Sequence, residues 1–439
     1  MHRSISAQEA IREIVEWTLN DYNDDRKGLP RGLRKDGSTS EARLFNDLGD
    51  YLPFFAYLGQ DAFCRQQLKD TEDVLGENGL LPSEFKYMGL SCTRSYEHTD
   101  LLFGLIDTYA QYPTLHTRGL LDRVAKGVIE TFHPAGRHPS SWYFPSVKYR
   151  MPVFDFKDGM FLEIWVLLSQ AFGDDRYLEV AMRLEESMRA LADDAYYPLV
   201  PNVRASSAFG NVFVRSRLHE QSLRYTPMKY LSNTLYGYLE LYKATKNPEY
   251  KNMLYRALDM ITRHMMDEKG AIHECRKEGE GLARLPDVRL VQNFPIMDWS
   301  ADCAYFLHDN TFLDVSQKIA AGWLDEQDLR TGLIPQEIGG STTDLDTLTD
   351  TSIAFYKIAE LTHEDRYRVA ADRIVEGVLR FHRSSVLHGY VLSVDAKDGS
   401  VRDSDLKIKF ICLFLKALIV FDRKDSIYGS ELYELTKDR

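Results

Sequence analysis

The sequence predicts an all-α fold, an (α/α)6 or (α/α)7 toroid of helical hairpins, built as a single domain over residues 1–439. Three observations predict it. A polar turn followed by an aromatic residue recurs along the chain. A second, Gly-centred phrase follows the second helix of a hairpin. The first and last helices lack hairpin partners of their own and suit each other.

The first phrase reads Gly173-Asp174-Asp175-Arg176-Tyr177, Lys246-Asn247-Pro248-Glu249-Tyr250 and His363-Glu364-Asp365-Arg366-Tyr367. Each copy follows a helix with Leu, Tyr, Phe and Ala at i, i+3, i+4 and i+7, and places its Tyr in the first turn of the next helix. Two helices joined by a short polar reversal form a hairpin. The second phrase reads Asn78-Gly79-Leu80-Leu81-Pro82, Lys269-Gly270-Ala271-Ile272-His273 and Thr331-Gly332-Leu333-Ile334-Pro335, with Tyr196 to Pro201 and His388 to Leu392 at equivalent places. Gly just past a helix supplies a left-handed cap, and Pro soon after it stops the helix.

Laid end to end, the first helices of the hairpins begin near Asn46, Ser95, Phe154, Leu231, Asp298 and Leu348, with another near Ser404. The N-terminal helix, from about Ala7 to Leu19, pairs with the last, from about Leu406 to Val420, and closes the ring; six or seven hairpins result, according to how that pair is counted. First helices are the more apolar and second helices the more charged, as in an inner ring wrapped by an outer one. A closed ring also leaves no apolar terminal repeat exposed. Hairpins of roughly 60 residues are too long for an open solenoid of tetratricopeptide units, whose period is about 34.

Composition limits the partners. A net charge of −12 and a pI near 5.5 argue against nucleic acid, which requires a dense basic stripe. Local Arg and Lys residues can still bind an anionic sugar. The 25 tyrosines supply faces that stack on sugar rings and tips that hydrogen-bond, although toroids also bury many aromatics between their layers. Cys64, Cys92, Cys275, Cys303 and Cys412 show neither a CxxC pair nor ligand spacing, so no metal, cofactor or disulfide framework is expected. The N-terminus carries no apolar signal region, and the run Phe410 to Phe421, broken by Lys416, is too short to span a membrane. A cytoplasmic protein with reduced thiols and no membrane partner is the expectation.

The starts of the inner helices of such a ring converge on one mouth. They carry Asn46, Asp47 and Asp50; Tyr96, Glu97, His98 and Asp100; Asp155, Lys157 and Asp158; Asn233; Asp298, Trp299 and Asp302; Asp346 and Asp350; and Asp405. Acids and amides at a helix start cap free N–H groups and complement the dipole. Capping leaves unexplained the second acid a turn further in, as in Glu97/Asp100, Asp155/Asp158 and Asp298/Asp302, because buried acids are costly unless paired or used.

Tyr96-Glu97-His98-Thr99-Asp100-Leu101-Leu102-Phe103 resembles the segment around the first active-site Asp of unsaturated glucuronyl hydrolases and their rhamnogalacturonyl relatives. Phe154-Asp155-Phe156-Lys157-Asp158-Gly159-Met160-Phe161 resembles their second, catalytic Asp segment. The resemblance implies a six-hairpin toroid and a glycoside hydrolase acting on an acidic or unsaturated uronic-acid-containing oligosaccharide. It also implies that Asp158 protonates the vinyl ether double bond and activates water, with Asp100 and His98 as supports and Glu97 beside them. The same scaffold serves sugar and uronate epimerases, and a toroid that binds a glycan or protein without turnover is the third reading.

Further substrate-binding candidates are Trp142, Tyr143 and Arg150, in an aromatic and basic loop before Asp158; Trp299 and Asp302; and Arg224 and Tyr225, which with His219 and Glu220 precede an inner helix. Glu84, Glu274 and Glu337 end the repeated rim turn, where a structural role competes with that of a second catalytic carboxylate. Asp344, Asp346 and Asp350 do not have the spacing of a known calcium loop.

Overall fold

The structure is a computed structural model that describes residues 5–22, 29–41, 45–82, 85–87, 89–136, 139–191, 195–205, 217–227, 229–424 and 428. For residues 41, 155, 156, 191, 205, 217 and 229–233 only the backbone is described. In chain order the main helices are α1 (Ala7–Trp17), α2 (Leu52–Tyr57), α3 (Asp61–Val74), α4 (Thr99–Gln111), α5 (Leu115–Phe132), α6 (Met160–Phe172), α7 (Asp175–Leu191), α8 (Lys229–Thr245), α9 (Pro248–Met260), α10 (Leu290–Leu307), α11 (Asn310–Leu324), α12 (Leu345–Thr362), α13 (Asp365–Gly377) and α14 (Ile408–Arg423).

The chain divides into two compact units. One comprises Arg65–Met266 and His273–Pro286; the other comprises Met1–Cys64, Asp267–Ile272 and Asp287–Arg439. In the first, α4 packs on α6 and α6 on α8, while α5, α7 and α9 each pack on the helix before them in the chain. In the second, α10, α12 and α14 form the equivalent row, α11 and α13 cover their hairpin partners, and α1 packs on α14. The first and last of these helices therefore pack on each other.

The hairpin turns explain the recurring phrase. Gly173, Lys246, His308 and His363 all adopt positive φ, at 63°, 56°, 52° and 57°, immediately after a first helix. The aromatic residue that follows, Tyr177, Tyr250, Phe312 or Tyr367, is buried. His308 to Phe312 is a fourth copy. Gly79, Gly270 and Gly332 hold the other phrase at positive φ, and a side chain on any of them would collide with the carbonyl of Arg123, Lys318 or Arg373 on a second helix.

Helix α10 starts at Leu290, about two turns before the expected start near Asp298. Pro295 lies in its second turn, past the first turn where Pro is tolerated, so one backbone hydrogen bond is missing there. Asp298, Trp299 and Asp302 consequently lie well inside the helix rather than at its mouth.

Side-chain capping follows the second helices. Thr114, Asn247 and Asp309 accept from the N–H groups of Thr117, Glu249 and Thr311 at the starts of α5, α9 and α11. The first helices α4, α6, α10, α12 and α14 have no side-chain cap bond among the described residues. Instead, rim carbonyls receive backbone N–H groups at several of these starts: Leu290 donates to Gln336, Leu345 to Leu392, and Ile408 to Arg31. Glu97 is the exception among the acids at these starts, since it accepts from the Arg94 backbone N–H one turn before α4.

No helix among the described residues is long and apolar enough to cross a membrane. All five cysteines are buried free thiols, and burial pushes those of Cys275 and Cys412 up to about 12.

Candidate functional site

In the first unit, strand Thr93–Arg94 pairs antiparallel with Trp142–Phe144, which pairs with Tyr149–Met151. Alternation along the middle strand buries Trp142 with Cys92, Phe144, Met151, Val153 and Val203. The Trp142 ring meets those of Phe85 and Tyr87 edge-on, at 5.8 and 5.0 Å. Trp142 is thus the core of this small sheet. Tyr143 is half-buried opposite Arg150, whose guanidinium reaches the Thr131 carbonyl at 3.4 Å.

The strand Thr93–Arg94 runs directly into the turn Ser95–His98 that opens α4, and this turn lies against the turn Phe156–Gly159 that opens α6. The hydroxyl of Ser95 donates to one carboxylate oxygen of Asp158 at 2.5 Å, and that of Ser141 donates to the other. Asp158 is 1% exposed. Two hydroxyl donors replace the water that a buried carboxylate loses, so Asp158 clips together the turn before α4, the segment at 140–141 and the start of α6.

Asp100 stands on the adjoining turn with 25% of its side chain exposed, 3.9 Å from the Lys157 ammonium. Lys157 and Arg94 both lie over the Tyr96 ring, at 5.1 and 4.3 Å from its centroid. Glu97 is half-buried and fixes Arg94 through bonds of 2.9 and 3.1 Å, and it also accepts from the Arg94 backbone N–H. The result is an aromatic face flanked by two cations and a partly open carboxyl group. His98 is fully buried. Its Nε2 accepts from the Leu81 N–H at 2.9 Å, leaving Nδ1 to donate toward the Arg94 and Ser95 carbonyls, and burial pushes its pKa down. Its contacts tie the rim turn at Leu81 to the start of α4.

The remaining predicted residues lie elsewhere in their units. Arg224 pairs with Glu274 at 3.1 Å across the strands Arg224–Tyr225 and Cys275–Glu278, and Tyr225 is buried against Tyr196. In the second unit, Trp299 is buried edge-on to Phe312. Asp302, with no exposed surface, and Asp298 hold Lys357 at 2.9 and 2.8 Å. Burial opposes the charge of Lys357, yet the two carboxylates hold its ammonium well above the usual lysine range. Glu337 is exposed, 3.6 Å from Arg289. Glu84 and the side chains of Asp155 and Asn233 lie outside the described residues.

One carboxyl group goes beyond those read as catalytic or substrate-binding from sequence. Asp344 occupies the N-cap position of α12 without capping it, and accepts instead from the Gln336 side-chain amide. Burial, with Asp346 and Asp403 nearby, pushes its pKa up to about 6 against that hydrogen bond. The sequence signal was the pair Asp344/Asp346 bracketing the start of an apolar helix. Among the described residues no group of three or more His, Cys, Asp and Glu side chains is placed to hold a metal ion.

No protein-family profile matches the sequence, and no curated protein resembles it in sequence. Solved structures do resemble it in fold. The α-1,2-mannosidase from Trichoderma reesei superposes with a TM-score of 0.70 at 13% identity, covering 97% of this chain and 95% of its own. The cellobiose 2-epimerase of Bacillus thermoamylovorans B4167 matches at 0.58 and 13%, over 81% of this chain and 96% of its own. The unsaturated glucuronyl hydrolase of Bacillus sp. GL1 matches at 0.55 and 14%, over 89% and 99%. The fold is that of the (α/α) toroids.

Proposed function

We propose that the protein is a carbohydrate-active enzyme, a glycoside hydrolase acting on an acidic or unsaturated uronic-acid-containing oligosaccharide. The observation that carries this reading is the joining of two helix starts by the serine-held Asp158, which sets Asp100, Lys157 and Tyr96 beside one another. Lys157, over the Tyr96 ring, offers positive charge for a uronate carboxylate, while Arg94 is held by Glu97. The fold neighbours, which include glycosidases as well as epimerases, are consistent with a sugar substrate.

Exposure divides the two carboxyl groups. A general acid has to reach its substrate, and Asp100 is the more open of the pair. Asp100 is assigned the proton transfer: it protonates the double bond of the terminal unsaturated uronate and then takes a proton from the water that adds across it, after which the hydrated sugar opens. Asp158 is a positioning residue, a reversal of the roles implied by the family resemblance.

The test is turnover of an unsaturated uronate disaccharide, followed by loss of the double-bond absorbance, in wild type and Asp100→Asn. The variant should lose at least about 100-fold in kcat with an unchanged Tm. Full activity in Asp100→Asn overturns the assignment. Solvent deuterium entering a carbon position of a saturated sugar, without hydrolysis of either substrate, replaces the hydrolase with an epimerase.

A further inference from the structure

We propose that Tyr96 is a positioning residue for the reaction proposed above: its ring holds the Lys157 ammonium group where the carboxylate of a uronate meets it. The role rests on that reading and names the residue behind a preference for acidic over neutral sugars. The Lys157 ammonium lies 5.1 Å from the centroid of the Tyr96 ring and 3.9 Å from the Asp100 carboxylate. The second distance is too long for a hydrogen bond, so Asp100 attracts the ammonium without fixing it. The first is within the range in which the negative face of an aromatic ring attracts a cation.

Tyr96 is itself held in place. It belongs to the turn Ser95–His98, whose first residue is bonded to Asp158 at 2.5 Å and whose last accepts from the Leu81 N–H at 2.9 Å. The Tyr96 carbonyl accepts from the Thr99 hydroxyl at 2.9 Å. The Arg94 guanidinium lies 4.3 Å from the Tyr96 centroid and 4.0 Å from that of Phe85, and Glu97 fixes this guanidinium through bonds of 2.9 and 3.1 Å. Backbone and ring are thus both tied down before any ligand arrives.

A lysine needs such a partner more than an arginine does. Its charge is compact and strongly hydrated, and it rides on a flexible four-carbon stem. A carboxylate that bound an unrestrained lysine would have to order that stem on each encounter; a ring that holds the ammonium in advance removes part of this cost. Lys157 has 12% of its side chain exposed, so its contact with the ring is partly shielded from water and correspondingly stronger. A uronate gains a pre-positioned counter-charge, whereas a neutral sugar gains nothing from it, and Tyr96 thereby acts on charge selectivity through Lys157 rather than by touching the sugar.

The experiment uses the full chain with ¹³C-labelled lysine, the Lys157 resonance being the one lost in Lys157→Arg. The ring current of Tyr96 should displace the Lys157 ε-CH2 signal from those of the other lysines in wild type and in Tyr96→Phe, which keeps the ring, and Tyr96→Leu should return it to the common position. D-glucuronate should then shift the Lys157 signal saturably, and D-glucose, the neutral control, should not. Tyr96→Leu should weaken glucuronate binding by at least about fivefold, while Tyr96→Phe binds as wild type does. A Lys157 signal that does not respond to Tyr96→Leu, no saturable shift with glucuronate, an equal shift with glucose, or an affinity left unchanged by Tyr96→Leu or lowered equally by Tyr96→Phe overturns the role. None of these readouts needs turnover, so a wild type that binds glucuronate in this way but leaves the unsaturated uronate disaccharide intact overturns the hydrolase reading alone. Should Tyr96→Leu not fold, Tyr96→Gln, which keeps the bulk without the ring, takes its place.

Discussion

Asp158 in the first unit and Asp302 in the second are both inaccessible, and the sequence presents them alike, each as the inner member of an acid pair near a helix start. Their surroundings differ. Asp158 sits where α6 begins and is satisfied by two neutral hydroxyls, with the half-open Asp100 and Lys157 on the turns beside it. Asp302 sits well inside α10 and is satisfied by an ammonium ion that it shares with Asp298. Placement along the helix, more than the acid pattern, decides whether a carboxyl group belongs to a rim cluster or to the core.

The largest effect should come from breaking the ionic arrangement. Lys357→Met leaves Asp302 charged and buried without its counter-ion, which costs about 3–5 kcal/mol for an uncompensated buried charge. Thermal melts should show a large fall in Tm. Lys357→Met combined with Asp302→Leu should recover most of it, because the partly exposed Asp298 can then be hydrated. A single variant that melts like wild type would dissolve the contrast between the two regions.

Asp158→Asn tests the other half of the comparison. The amide keeps one acceptor oxygen and turns an NH2 group toward a serine, whose hydroxyl accepts it but loses its own acceptor, so a charge-assisted bond gives way to a neutral one at about 1–2 kcal/mol. Calorimetry should show a modest fall in Tm, and kcat should drop only in part because Asp100 remains. Abolished turnover at an unchanged Tm would return the proton transfer to Asp158.

What the sequence made legible follows from locality. Each hairpin phrase is a handful of consecutive residues whose turn chemistry is self-contained, so the repeat could be read from Gly173, Lys246 and His363 alone. The copy at His308 escaped because Asn310-Thr311-Phe312 replaces the acidic and Tyr-bearing form. The start of α10 was misplaced at the helix containing Pro295. The serine clip on Asp158 and the shared Lys357 are contacts between elements more than 50 residues apart for Ser95 and for Asp302. No local pattern encodes them, although a lone Lys within Phe355-Tyr356-Lys357-Ile358-Ala359 is itself a sign that an acid lies opposite.

The smallest effect is expected at Asp344, which belongs to neither arrangement. Burial, with Asp346 and Asp403, raises its pKa from 3.8 to about 6, against the stabilising bond from Gln336. A carboxyl group whose folded pKa is raised favours the folded state in its protonated form; that contribution is complete below about pH 4 and is lost as the pH rises through 6. Above pH 6 the folded protein therefore holds an ionised Asp344 at a cost. The size of the rise sets a ceiling of about 3 kcal/mol on that cost, and partial exposure reduces it to about 1 kcal/mol. Asp344→Asn should accordingly melt about 1 °C above wild type at pH 8 and together with it at pH 4. A difference of the same size at both pH values would show that the substitution acts through packing or the Gln336 contact rather than through the charge.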